Sequence, residues 1–397
     1  MLRFQPFRGV RYDTRLVDLA DVTVPPYDVI RDDDRANLAA RHVASAVVVD
    51  LPTTGTDVYA EAARQFAEWL RDGTLIRDSR PCFYGYRMSH SDEHGNPRHT
   101  TGVFGALALS HPGEGGILPH EQTTPKAKSD RLSLMQATQA NLSAVWGLSA
   151  SEGLTNAINP QDATVVSWTD EVGVQHSFWT ISNEKQIDTI ARIADEAPVL
   201  IADGHHRYET ALTYRDEVFV ATSANLPGRE AVLVYLVELT DDELSVLPIH
   251  RLISGLPDDF DFKPALAPYF DLEPAGAIDS DILDEMDQQS ALTLVLPDEA
   301  WFLVPRADAL AEARDLDSSR LDFALQGFPP HHLEFQHGVD HVVERVVARE
   351  AQGGFLLRPA TVDQIVAIAH GGERMPPKTT FFYPKPRTGV IFRMLDE

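Results

Sequence analysis

Residues 203–207 read Asp-Gly-His-His-Arg, a combination of residue types suited to binding phosphate. A short apolar strand is predicted to end at Asp203, Gly204 permits a tight turn, and a helix is predicted to begin near Arg207. Such a turn directs unpaired backbone N–H groups and the positive end of a helix dipole at a bound anion. Gly204, His205, His206 and Arg207 are therefore predicted to bind phosphate.

Asp203 has the wrong charge for direct contact with a phosphate. Its carboxylate is predicted to act through a Mg²⁺ ion or a transferred proton, which makes Asp203 both a candidate catalytic residue and a candidate metal ligand. The alternative for this segment is a capped strand-to-helix turn with histidines on the surface.

A second polar segment covers residues 118–131. Lys126, Lys128 and Arg131 provide three cations near Glu121, so the segment is predicted to form an anion pocket with Glu121 as a candidate general base. The alternative is a solvated loop that leads into a helix. The residues alone leave both interpretations open.

A third segment, residues 376–389, lies in the C-terminal part of the sequence. The ammonium group of Lys378 and the hydroxyls of Thr379 and Thr380 are compact donors that suit a carboxylate or a phosphate. The alternative is an irregular edge segment with an exposed lysine.

The elements that must position these residues alternate between strand-like and helical patterns, which predicts an α/β or α+β fold. The predicted strands are 46–51, 82–88, 102–109, 199–202, 231–239, 292–296 and 389–393. The predicted helices are 57–71, 129–141, 187–195, 207–216, 337–350 and 361–370. A Pro-, Gly- and acid-rich stretch at 254–268 predicts a boundary between an N-terminal α/β region, 1–255, and a smaller C-terminal α+β region, 256–397. The active cleft is expected between them.

The chain carries 34 Lys and Arg against 60 Asp and Glu, a formal net charge of −26 over 397 residues. This charge repels nucleic-acid phosphates and anionic membranes, so neither is expected as a partner. A single cysteine, Cys82, excludes an intramolecular disulfide and any multi-cysteine metal site. No apolar run approaches the roughly 20 residues that cross a bilayer, and no apolar signal segment opens the sequence, so the protein is predicted to be cytoplasmic.

Four strings of the sequence resemble the bacterial family called domain of unknown function 1015. They read Pro-Pro-Tyr-Asp-Val-Ile at 25–30, Leu-Pro-His-Glu-Gln-Thr at 118–123, Ala-Asp-Gly-His-His-Arg-Tyr-Glu-Thr-Ala at 202–211 and Pro-Lys-Thr-Thr-Phe-Phe-Tyr-Pro-Lys at 377–385. The resemblance spans nearly the whole chain and by itself implies no activity.

Three of these strings, in the same order, are also similar to motifs of the free serine kinases of the ParB/sulfiredoxin-like superfamily. The resemblance implies a mixed-sheet nucleotide-binding core of that kind. It implies that Glu121 takes the proton from the serine hydroxyl and that the turn at 203–207 holds nucleotide phosphates, with Asp203 beside the metal or the acceptor. Lys378 and Thr380 would then bind the amino acid.

The same kinase-like interpretation assigns His120 to the substrate and assigns Thr123 and Lys126 to the nucleotide phosphates. The sequence departs from the kinases in two respects. The spacing between the first two motifs is longer than in those compact enzymes, and Phe382 stands where they carry a substrate-contacting histidine. Phosphate chemistry therefore transfers better than the identity of the acceptor.

We predict a kinase that uses Mg²⁺ and moves a phosphoryl group from ATP or ADP to the hydroxyl of a small metabolite, with free L-serine as the leading acceptor. Two alternatives stay open. One is a non-catalytic sensor that binds a nucleotide or a phosphometabolite, and the other is a nucleotide hydrolase or phosphatase that uses water. The sequence does not decide the donor, the acceptor or the oligomeric state.

Overall fold

The computed structural model describes residues 3–92, 95–111, 114–119, 125–222, 227–240, 242–279, 281–370 and 379–396. The chain divides into two compact units, Met1–Ser245 with Pro384–Glu397 and Val246–Tyr383. The sequence predicts a boundary after residue 255 and a C-terminal region that runs to 397. The observed first unit ends earlier, at Ser245. It also includes the segment from Pro384, because a strand in that segment pairs with strands of the first unit.

The strands within the described residues have the following bounds: β1 Phe4–Gln5, β2 Gly9–Tyr12, β3 Leu75–Arg77, β4 Phe83–Ser91, β5 Pro97–Ala108, β6 Ile117–Pro119, β7 Ala140–Asn141, β8 Val145–Ser149, β9 Val166–Thr169, β10 Gln175–Ile181, β11 Val199–Asp203, β12 Ala231–Glu238, β13 Ser245–Leu247, β14 His250–Ser254, β15 Phe270–Pro274, β16 Leu292–Val295, β17 Ala300–Pro305, β18 His332–Gln336, β19 Gly353–Leu356, β20 Phe381–Tyr383 and β21 Phe392–Met394.

The helices are α1 Leu19–Val22, α2 Asp32–Arg41, α3 Val47–Asp50, α4 Val58–Asp72, α5 Pro125–Thr138, α6 Leu154–Ala157, α7 Glu184–Asp195, α8 His205–Thr222, α9 Phe262–Leu266, α10 Ile282–Gln289, α11 Asp317–Leu325, α12 Val339–Val347 and α13 Val362–His370. Short 3₁₀ helices cover Tyr27–Val29 and Pro227–Arg229. Among the residues that the structure describes, no helix has both the length and the apolar character needed to cross a membrane.

The main sheet of the first unit contains nine strands of the described residues, in the order β6-β11-β8-β12-β5-β4-β10-β9 with β1 paired to β5. β6 is parallel to β11 and β8 is parallel to β12, whereas the other neighbours are antiparallel. The sheet is therefore mixed, which confirms the predicted α/β class. The ParB/sulfiredoxin-like assignment of this core stays a prediction.

Helices α6, α7 and α8 bury apolar side chains against this sheet. On α8, Tyr208 and Ala211 are buried in this core and Leu212 packs against it. Burial of each such side chain contributes about 1.5–3 kcal/mol for the larger apolar residues. This packing fixes the start of α8 at the end of β11.

A separate sheet, in the order β3-β2-β21-β7, connects the C-terminal strand of the first unit with its N-terminal part. Val10 pairs with Phe392 in this sheet, and Met394 pairs with Ala140. Residues 384–397 are therefore an integral part of the first unit.

The second unit contains a six-stranded antiparallel sheet in the order β15-β17-β16-β19-β14-β18. Apolar clusters cover both of its faces, one with α9 and α11 and the other with α10 and α12. β13 and β20 pair separately. The unit is thus a smaller α+β structure.

Candidate functional site

The predicted phosphate-binding turn lies between a buried strand and a long helix. β11 ends at Asp203, as predicted, and α8 begins at His205, before the predicted start near Arg207. The N–H group of Tyr208 donates a hydrogen bond of 3.0 Å to the carbonyl of Gly204, which closes the first helical turn. The backbone therefore has the strand-turn-helix form that suits an anion at a helix N-terminus.

Gly204 is required by the geometry of this turn. Its φ is +87°, in the left-handed region that favours glycine. A Cβ atom here would lie 2.9 Å from Nε and 3.0 Å from Cζ of Arg207. Glycine thus permits both the turn and the close approach of the guanidinium group to the backbone.

Replacement of Gly204 by alanine is expected to lower the free energy of unfolding by about 2 kcal/mol, because backbone strain and the contact with Arg207 add together. Gly73→Ala is the matched control, since Gly73 has a φ of +86° and no neighbouring atom within 4 Å of an added Cβ. The free energy of unfolding of Gly73→Ala should fall only by the contribution of backbone strain, about 1 kcal/mol. Urea unfolding measures both values. Equal losses in the two variants would contradict the steric role of Arg207.

Asp203 holds two cations at the start of α8. Its Oδ2 accepts a hydrogen bond from Nη2 of Arg207 at 2.5 Å, and its Oδ1 accepts one from Nζ of Lys385 at 2.7 Å. Burial acts to raise the pKa of Asp203, but Lys385 and Arg207 outweigh it and hold that pKa well below its usual range. The carboxylate is therefore ionised, and both of its oxygens have a cationic partner.

Arg207 is buried, with 7% of its surface exposed. Its Nη1 donates to the carbonyl of Ala144 in addition to the ion pair with Asp203. Burial acts to lower the pKa of the guanidinium group, but Asp203, Asp28 and the other acidic groups around it together outweigh burial and raise the pKa. A fixed, charged guanidinium group consequently lies against the predicted phosphate turn.

Lys385 brings a second cation to the same carboxylate from a distant part of the sequence. Its Nζ also lies 3.2 Å from Oδ2 of Asp28, and 12% of its side chain is exposed. Burial acts to lower the pKa of Lys385, but Asp203 and Asp28 together raise it. The ammonium group is therefore charged and shared by two carboxylates.

Arg131, in α5, adds a third cation that contacts the same aromatic ring as Arg207. Its guanidinium carbon lies 4.3 Å from the centre of the Tyr27 ring, and that of Arg207 lies 5.9 Å from it. Nη1 of Arg131 donates a hydrogen bond of 2.7 Å to the carbonyl of Asp50. Arg131, Arg207 and Lys385 are called the cation cluster below.

Asp50 is the buried carboxyl group beside this cluster. Burial raises the pKa of Asp50, against the opposing effects of Arg131 and Arg207. Within the described ranges, Oδ2 of Asp50 and Oγ1 of Thr210 are buried without a hydrogen-bond partner. A cavity of about 40 Å³ is lined by Asp50, Arg131, Arg207 and Thr210, among others. It has room for water or a ligand group of similar size.

Besides Asp50 and Thr210, three residues of this site were not predicted from the sequence: Tyr27, Asp28 and Lys385. A signal for them was present. Tyr27 and Asp28 belong to the Pro-Pro-Tyr-Asp-Val-Ile string, and Lys385 ends the Pro-Lys-Thr-Thr-Phe-Phe-Tyr-Pro-Lys string. Arg131 was counted among the cations near Glu121, and the structure brings it to Tyr27 and Asp50.

Several predicted site residues lie outside the described ranges: His120, Glu121, Thr123 and Lys378. Lys126 is the second residue of α5, and nothing is described of its side chain. The structure brings Gly204, His205, His206 and Arg207 together at the turn. Thr380 belongs to the second unit, as does Thr379, whose hydroxyl lies 3.2 Å from that of Ser318.

A metal site made by the protein alone would need several ligands close together. Over the ranges that the structure describes, no group of three or more His, Cys, Asp or Glu side chains could hold a metal ion. Asp28 and Asp203 do share one cation, Lys385. Two carboxylates suit Mg²⁺ when substrate phosphates supply further oxygen ligands.

Residues 4–324 match the family described as "Protein of unknown function (DUF1015)". The chain belongs to the DUF1015 family. In this DUF1015 chain the matched residues include the turn at 203–207, Asp28 and Arg131. Lys385 and the Pro-Lys-Thr-Thr segment lie beyond the match. No curated protein matches the chain.

Among solved structures, the DUF1015 chain is similar to a mutant free serine kinase in complex with AMP, with 13% identity, coverage of 71% of this chain and 86% of that one, and a TM-score of 0.38. It is also similar to SbnI with a C-terminal truncation from Staphylococcus aureus, with 13% identity, coverage of 72% and 85%, and a TM-score of 0.39. A conserved hypothetical protein from Pyrococcus furiosus has 13% identity, coverage of 71% and 90%, and a TM-score of 0.36.

Proposed function

We propose that this protein is a kinase that transfers a phosphoryl group from ATP or ADP to the hydroxyl group of a small metabolite, with free L-serine as the leading acceptor. The observation that carries the proposal is the cation cluster at the N-terminal turn of α8. Three cationic, largely buried side chains, each paired with at least one carboxylate, gather there although the chain as a whole has a net charge of −26. A local concentration of cations in an acidic protein suits an anionic ligand.

The backbone supports the same ligand chemistry. The first turn of α8, an 18-residue helix, carries the positive end of the helix dipole. In the proposal, Gly204, His205, His206 and Arg207 bind the nucleotide phosphates, together with Thr123 and Lys126. Phosphoryl transfer depends on positioning and charge neutralisation of this kind.

The sheet register supports Glu121 as the general base. β6 and β11 are parallel neighbours in which Pro119 pairs with Ile201. β6 therefore ends, at Pro119, at the same edge of the sheet at which β11 reaches Asp203, and Glu121 follows Pro119 by two positions in the sequence. A serine hydroxyl is a weak nucleophile, so a base that accepts its proton is needed for transfer.

Mg²⁺ belongs to the proposal as an ion that arrives with the nucleotide. Asp203, and Asp28 beside it, are the described carboxylates that would hold it, because they already share a cation. When bound, the ion would neutralise charge on the transferred phosphoryl group. In the proposal, the acceptor is bound by the predicted substrate residues His120, Lys378 and Thr380.

The direct test incubates the purified protein with Mg²⁺, either ATP or ADP, and each of a panel of free hydroxy amino acids. Phosphorus NMR should detect O-phosphoserine and identify the donor. Formation of inorganic phosphate alone would favour a hydrolase. Nucleotide binding without any product would favour a sensor, an alternative supported by the cationic partners on both oxygens of Asp203.

A further inference from the structure

Two proline-rich segments from opposite ends of the sequence meet beside the end of β11. Val24 and Thr388 form an antiparallel bridge, with N–H···O distances of 3.0 and 2.8 Å in the two directions. Pro25 and Pro26 follow the first bridge residue, and Pro384 and Pro386 precede the second. Because proline fixes φ, both segments leave the bridge with restricted backbones.

Arg387 anchors the C-terminal segment to the hairpin between β9 and β10. Its side chain is 4% exposed. It donates to Oδ2 of Asp170 at 3.1 Å, to both carboxylate oxygens of Glu171 at 3.0 and 2.9 Å, and to the carbonyl of Thr23 at 2.8 Å. The backbone on the C-terminal side of Lys385 is therefore fixed by charged hydrogen bonds.

The ammonium group of Lys385 is held at the start of α8 by Asp203 and Asp28. Asp203 also binds Arg207, so two cations that repel each other are kept close to one carboxylate. Buried ion pairs contribute little net stability compared with apolar packing, because desolvation opposes the attraction. Stability therefore does not account for two cations beside one carboxylate. Binding of a ligand with several negative charges would account for them.

We propose that Lys385 is a phosphate-binding residue, whose ammonium group donates to the oxygens of the bound phosphate chain, and that Asp28 and Arg387 are its positioning residues. The inference rests on the proposed nucleotide site and adds to it a residue of the third segment, 376–389, that was not predicted to be a site residue. An ammonium group is a compact point charge with three N–H donors, which suits a flexible phosphate chain.

The test is calorimetric titration of the full chain with inorganic pyrophosphate in the presence of EDTA, so that neither the base of a nucleotide nor Mg²⁺ contributes. Lys385→Met should weaken pyrophosphate binding about tenfold to a hundredfold, the effect of losing a hydrogen bond to a charged group. Lys385→Arg keeps the charge and should retain most of the affinity. Lys263→Met is the matched control, since Lys263 pairs with Glu299 in the second unit and should leave binding unchanged.

A second measurement uses the unaltered chain and does not depend on the folding of a variant. Pyrophosphate should slow the labelling of Lys385 by an amine-reactive reagent, read by mass spectrometry, and should leave the labelling of Lys263 unchanged. Equal labelling of Lys385 with and without pyrophosphate would overturn the inference. So would pyrophosphate binding by Lys385→Met as tight as in the unaltered chain, or no pyrophosphate binding by the unaltered chain.

These outcomes separate the inference from the proposed activity. Pyrophosphate binding that depends on Lys385, without phosphoryl transfer to any acceptor, supports the inference and contradicts the kinase. Phosphoryl transfer with pyrophosphate binding that does not depend on Lys385 supports the kinase and contradicts the inference.

Discussion

Glu121→Gln is expected to reduce phosphoryl transfer by about a thousandfold while nucleotide affinity stays within about twofold. Glutamine has nearly the shape of glutamate but cannot accept the proton of the acceptor hydroxyl. The phosphate-binding groups of the turn are unchanged by the substitution. The rate of product formation by phosphorus NMR and the dissociation constant from calorimetry provide the two measurements.

Glu114→Gln is the matched control for this experiment. Glu114 is exposed and lies just before β6, so it should leave both the rate and the affinity unchanged. If Glu121→Gln retains most of the transfer activity, Glu121 is not the general base. If both variants lose activity equally, the effect reflects a general loss of negative charge near β6.

Arg207→Met is expected to lower the free energy of unfolding by about 3–5 kcal/mol and to reduce nucleotide affinity at least tenfold. The substitution removes a buried guanidinium group that binds Asp203 and the carbonyl of Ala144. Asp203 retains Lys385 as a partner, so we expect the stability loss near the lower end of this range. Urea unfolding and calorimetric titration with ADP measure the two effects.

Arg192→Met is the control for the loss of an arginine from a helix. Arg192, in α7, pairs with Glu196, the residue that follows the helix, and 63% of the Arg192 side chain is exposed. Exposed pairs of this kind contribute about 0–1 kcal/mol. A loss for Arg207→Met no larger than that for Arg192→Met would show that the buried pair with Asp203 contributes little to the fold.

The sequence was sufficient to predict the strand-turn-helix around residues 203–207, because this feature is local. A short apolar strand, a glycine and a helical period with buried positions at Tyr208 and Ala211 all lie within a few residues of one another. The mixed α/β class followed from the alternation of such segments. No longer-range information was needed for either prediction.

The predicted strand at 46–51 was wrong. The structure has the one-turn helix α3 there, in which the N–H of Asp50 donates to the carbonyl of Ala46 at 3.0 Å and that of Leu51 donates to Val47 at 2.9 Å. Three consecutive valines favour a strand locally, but β-propensity depends strongly on packing. Here a helical turn satisfies its own backbone hydrogen bonds while Val47 and Val49 stay buried. The error also concealed Asp50, whose carbonyl binds Arg131.

The contacts of Lys385 could not be predicted from local patterns. Asp203 is 182 residues away in the sequence and Asp28 is 357 residues away. No periodicity relates positions at such separations. Three other sets of long-range contacts hold the segment that carries Lys385: the Val24–Thr388 bridge, the ion pairs of Arg387 and the sheet that includes β21. Only the full set of contacts brings these charges together.

The discontinuity of the first unit also has a consequence for the order of events during protein synthesis. The ribosome makes residues 1–245 first, then all of the second unit, and only afterwards the segment from Pro384 that carries Lys385 and β21. Domains generally fold as units while the chain emerges. The second unit can therefore complete its fold before the first, and a nascent chain that already contains residues 203–207 still lacks one of the three cations of the cation cluster until Lys385 leaves the exit tunnel.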